Sequence, residues 1–165
     1  MDKAELLKLI ENAFKKVALG DGIGLYEAIA LDDYASDKKI AKARKKDREL
    51  WKKWTEIPFD VIESFSSALC FVDKEGMRFL LPAFMSFAVE KYGESASMSV
   101  DSPIYTLDRG FSIFDGKDDF LNKEQKNAIA QFLKFMERTA GDDYVDAQFA
   151  SNAYIKYWGR YDLQA

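Results

Sequence analysis

Two charged residues sit where apolar ones are expected. Asp47 interrupts a stripe at helical spacing formed by Ile40, Ala43, Leu50, Trp51 and Trp54, and Arg78 stands inside the apolar run Met77 to Leu81. A charge set into an apolar surface is expensive unless it is paired, so each is the expected counterpart of the other. Two chemistries follow. One is a structural ion pair. The other is a small polar pocket in which Asp47 and Arg78 join Asp32 and Asp33. A carboxylate with a displaced pKa in such a pocket can serve as a general acid or base.

Other constellations carry less. The adjacent carboxylates Asp32 and Asp33 could ligate a hard cation, but such pairs more often cap or turn a chain. The stretch Asp115 to Asp119 has its Gly too early for a calcium loop and a Lys at a ligand position, so it is expected to be a turn. No metal and no cofactor are assigned. Tyr144, Tyr154, Tyr157, Trp158 and Tyr161 crowd the C-terminal stretch. Rings of this kind either pack a half-buried helix or form a binding surface, with Tyr154, Tyr157 and Trp158 the candidates for the surface. Cys70 lies between Leu69 and Phe71 and is expected to be a buried, inert thiol.

Composition removes whole classes of chemistry. The chain has no histidine, which excludes a Ser-His-Asp triad, a Cys-His pair and imidazole-based zinc sites. A single cysteine excludes an intrachain disulfide and fits a reducing, cytoplasmic compartment. Met1-Asp2-Lys3 opens an amphipathic segment with no apolar signal region, and no run reaches the ~18 apolar residues of a membrane span. The net charge is −4, yet residues 37–53 hold nine Lys or Arg against three acids, leaving −10 on the rest. The basic segment is a solvated face or a docking face for an anionic partner. No nucleic-acid motif accompanies it, so nucleic acid is not the expected partner.

The elements that must position these residues are helices. Leu6, Leu7, Ile10, Ala13, Phe14 and Val17 recur at helical spacing behind Asp2 and Glu5, a variant capping box. A short helix is expected over 25–31 and a longer one, capped by Ser36, over 37–54 with its lysines facing outward. Pro58 suits a first helical position. The runs flanking Asp73-Lys74-Glu75-Gly76 read either as a hairpin or as two helices joined through Gly76, with Pro82 opening a further helix to Tyr92. Residues 94–101 are the best loop, and Phe111 to Phe114 reads as extended. Asn122 and Gln125 cap a strong helix over 123–139 with the stripe Ile129, Phe132, Leu133 and Met136, and a last helix is expected over 143–158. The expected fold is one mainly α domain over 1–165, a compact bundle of six or seven helices with at most one small hairpin near 69–81.

The spacing Asp32-Asp33-Tyr34, Ala43-Arg44, Asp47, Trp54, Ile57-Pro58, then Phe71-Val72-Asp73, Gly76, Arg78-Phe79 and Leu81-Pro82-Ala83 resembles a bacterial family catalogued as a domain of unknown function. Gln125, Ala128-Ile129 and Phe132-Leu133 fit the end of that pattern. The resemblance covers about residues 5–136 and implies no reaction, cofactor or partner. The residues themselves point to a non-enzymatic binding or regulatory module, of an immunity type, whose partner is another protein. The alternative is a small enzyme built on a carboxylate and arginine pocket, with or without a metal.

Overall fold

The computed structural model describes residues 1–141 and 145–164. Tyr144, one of the C-terminal aromatics, lies outside them. Among the described residues eight α-helices run in the order α1 (Lys3–Phe14), α2 (Leu25–Asp32), α3 (Asp37–Leu50), α4 (Phe59–Ser64), α5 (Lys74–Lys91), α6 (Ser102–Asp108), α7 (Lys123–Ala140) and α8 (Val145–Lys156). Short 3-10 turns separate several of them. Among the described residues there is no strand, and no helix is long and apolar enough to cross a membrane.

Local chemistry explains the strongest helices. Asp2 and Glu5 form a reciprocal capping box at the start of α1, and Asn122 and Gln125 form another at α7. Each box satisfies two of the backbone donors that a helix start leaves without partners. The stripe on α1 buries Leu6, Ile10 and Phe14, and that on α7 buries Ile129, Phe132, Leu133 and Met136.

The core is centred on α5, which is buried on nearly every side from Gly76 to Val89. Phe79, Phe84 and Phe87 are among its fully enclosed side chains, each contributing roughly 1.5–3 kcal/mol by leaving water. Helices α1, α4, α6 and α7 pack on it, α8 covers α6 and α7, and α2 carries α3.

The region 69–81 corrects the expected hairpin. Residues Ala68–Cys70 form a 3-10 turn, and α5 starts at Lys74 and runs through Pro82 without a break. Asp73 caps it by accepting from the N–H of Gly76 at 2.8 Å. Gly76 is therefore a first-turn residue, not a helix terminator. It is small because a Cβ there would come within 2.1 Å of the Ile23 carbonyl oxygen. Pro82 is inside the helix, where its missing N–H leaves the Arg78 carbonyl without its helical donor. Burial of the flanking residues on α5 outweighs that loss.

Two smaller expectations also change. Phe111 to Phe114 is not extended: Phe111 and Asp115 are left-handed and bracket a 3-10 turn at Ser112–Phe114, with Phe111 buried against Trp158 and Phe120. Cys70 is exposed, not buried, because the turn that carries it directs Ala68 and Leu69 inward instead.

Candidate functional site

The four charged residues expected to form one cluster are dispersed. Asp47 is fully buried and accepts the backbone N–H groups of Tyr26 and Glu27, both at 2.9 Å. It caps α2 from the neighbouring helix. Asp32 accepts from the Ser67 hydroxyl at 2.6 Å, and Asp33 is the C-terminal cap of the same helix. The length of α2 alone puts about 10 Å between its two ends, so Asp47 and the Asp32-Asp33 pair serve opposite termini. Arg78 donates to the Phe120 carbonyl at 3.3 Å. Among the described residues it pairs with no carboxylate. The expected contact between Asp47 and Arg78 is absent, because two backbone donors already satisfy Asp47.

Around Asp47 the polar contacts form a single seam between α2, α3 and the loop before α2. Glu27 is buried and pairs with Arg44 at 3.2 Å and Arg48 at 3.9 Å. Arg44 also donates to the Asp21 carbonyl, and Arg48 to that of Gly22. Asp73 accepts from the Ile23 N–H, fixing the same loop to the start of α5. Burial raises the Asp47 carboxyl above its ordinary value. The two backbone N–H bonds and the Arg48 charge pull it down, and the Glu27 charge adds to the rise.

This seam holds α3, a helix with no fully buried apolar side chain. Asp47 is the only buried residue of that helix, and α3 packs chiefly on α2. Lys46 lies over the Tyr26 ring at 3.6 Å, and Trp51 stacks against the same ring. Lys38, Lys39, Lys42 and Lys45 face solvent. Tyr34, 96% exposed, stands just before the helix, and Leu50, 45% exposed, at its end.

The C-terminal aromatics divide. Trp158 is fully buried and its indole donates to the Leu107 carbonyl at 3.0 Å, so it is core and not a binding surface. Tyr154 and Tyr157 are half-buried. The Tyr154 hydroxyl donates to Asp162 at 2.7 Å, and Gln131 and Lys134 donate to the same carboxylate. Burial pushes the Asp162 carboxyl up, but these donors and the Gln164 N–H outweigh it and hold it at about 2. Burial and the neighbouring Asp118 carboxylate raise the Tyr157 hydroxyl beyond its ordinary range.

A family model described as a family of unknown function, DUF6714, matches residues 2–162. The chain belongs to that family. No curated protein and no solved structure matches it. The site of this DUF6714 member must therefore be found from its own geometry.

Two open clefts escaped the sequence. The larger, about 700 Å³, lies between the end of α1 and the start of α7 and is lined by Lys15, Lys16, Arg78 and Asn122 among others. The other, about 450 Å³, is lined by Tyr92, Asp101 and Asp146. Asp146 accepts the hydroxyls of Tyr92 and Tyr105, both at 2.9 Å. Burial, the Asp146 charge and hydrogen bonding to Asp146 push the Asp101 carboxyl up to about 6. Asp101 was hidden inside a loop signal, and nothing local in the sequence ties it to Asp146, 45 positions on.

Proposed function

We propose that this DUF6714 protein is a non-enzymatic, cytoplasmic regulatory module of a bacterium, of an immunity type, that docks an acidic surface of a partner protein through α3. The observation that supports it is the attachment of α3: a helix whose single buried residue is Asp47 and whose outward positions are lysines. A helix fixed by polar bonds on one side presents the other side rigidly. Its net charge of +4 opposes the −8 carried by the rest of the chain, so it draws in an acidic partner while the body repels it elsewhere. Complementary charge of this kind raises association rates and selects partners.

The test is affinity capture with the wild type and with Lys38→Glu/Lys42→Glu/Lys45→Glu, which reverses one face and leaves the seam intact. An acidic protein held by the wild type should elute below about 0.4 M salt, where exposed charges are screened, and should be lost from the triple variant. Capture unchanged by the reversal would overturn the proposal. Duplex DNA should show no dissociation constant below about 1 μM at physiological salt.

A small carboxylate enzyme is the second reading, supported at Asp101 and Asp146 and no longer at Asp47. A carboxyl raised toward neutrality beside a second carboxylate and two hydroxyls, in a cleft, has the components of acid-base catalysis. A hydrolase substrate screen would then find a turnover abolished by both Asp101→Asn and Asp146→Asn. Turnover that survives both would remove the enzyme reading.

A further inference from the structure

We propose that the cleft around Arg78 binds a small organic anion, with its phosphate or carboxylate head on the guanidinium. This site is separate from the α3 docking face and stands independently of it. Arg78 is the one charge within the apolar run of α5, and among the described residues no carboxylate pairs with it. A half-buried guanidinium is costly to keep without a counter-charge. Its contact with the Phe120 carbonyl uses one nitrogen and leaves donors of the fork to bind an oxyanion in two-point fashion.

The surroundings fit such a ligand. Lys15 and Lys16 line the same cleft from the end of α1 and are exposed at its rim. Asp119 also lines it, but it is neutralised by Lys74 at 2.8 Å. Glu124 is the opposing charge at the rim, so the lining keeps a positive balance. The first turn of α7 opens on the same space and adds the positive end of its dipole. A volume of about 700 Å³ suits a metabolite-sized molecule and not a bare ion alone.

The experiment is a titration of the isotopically labelled protein with pyrophosphate in one arm and citrate in the other, at constant ionic strength, followed by backbone amide NMR. Saturable shifts at Lys15, Lys16, Arg78 and Lys123, with a dissociation constant below about 1 mM, are expected in at least one arm, and the stronger arm tells phosphate from carboxylate. Arg78→Met should weaken binding at least tenfold. Should that variant fail to fold, Lys15→Gln/Lys16→Gln, on exposed positions, should weaken it at least threefold. Shifts that do not saturate, that map to the α3 lysines, or that persist in these variants would overturn the proposal.

Discussion

Gly24 and Asp47 together build the start of α2. Gly24 is the N-terminal cap residue and offers no side-chain bond. The carboxylate of Asp47 takes that role across space, receiving the N–H groups of Tyr26 and Glu27. The two positions exclude one another sterically: a Cβ on Gly24 would lie 2.5 Å from the Asp47 Cγ. A cap borrowed from another helix ties the order of α2 to the docking of α3.

Asp47→Ala should therefore destabilise the fold by about 2–3 kcal/mol, because a buried and a half-buried donor lose their acceptor. Gly24→Ser should be destabilising in the wild type and much less so in an Asp47→Gly background, where the serine has room to cap α2 itself. Urea melts of the two singles and the double would show a coupling of about 1 kcal/mol or more.

Asp47→Ala and Arg78→Met should be additive to within about 0.5 kcal/mol, since the two share no partner. Equilibrium unfolding of both singles and the double measures this directly. A coupling above that range would restore a link between α3 and the Arg78 cleft.

Asp162→Ala should cost about 3 kcal/mol, because it strands Gln131, Lys134 and Tyr154 around a vacated acceptor. The loss should appear in thermal melts. Asp162 is ionised in the folded chain down to about pH 2, whereas in the unfolded chain it takes up its proton near 3.8. Its stabilising share is full above the higher of these values and drains away only as pH falls between them.

Asp101 acts in the opposite sense. The folded chain keeps its proton up to about pH 6, and the unfolded chain releases it near 3.8. The folded state binds the extra proton in that window, so stability falls as pH rises from about 4 to about 6. Asp101 is half-exposed, and the amplitude should be about 1 kcal/mol. Asp101→Asn should flatten this limb of the stability profile, as chemical denaturation at a series of pH values would record.

Trp158→Phe should destabilise by about 2–3 kcal/mol, from lost volume and from the lost indole hydrogen bond to the Leu107 carbonyl. Tyr157→Phe, at a half-buried ring, should cost less. Matched melts would separate the core role of Trp158 from a surface role.

How much of this was legible depends on the range of the interaction. Capping boxes at Asp2 and Asn122 and the stripes on α1 and α7 repeat every three or four residues, so the chain displays them directly. Gly76 reads locally as a helix terminator, whereas its smallness answers to Ile23, a residue 53 positions away. Local rules put Pro82 at a helix start, and only the near-complete burial of α5 from Gly76 to Val89 overrides them. The sequence marks Asp47 as a buried charge needing a partner, but the partner is two backbone N–H groups, which leave no mark in a sequence of side chains.

By itself, then, the sequence determined the helical class, the caps, the separation of a basic segment from an acidic body, and the absence of histidine chemistry. All of these are properties of composition or of neighbours along the chain. Tertiary structure alone decided which charges meet. It set Asp47 on the start of α2, left Arg78 facing a cleft with Lys15 and Lys16, brought Asp101 to Asp146, and turned Trp158 inward. Each pairing joins residues far apart in sequence, and the energy that selects it arises only when the core packs and water leaves.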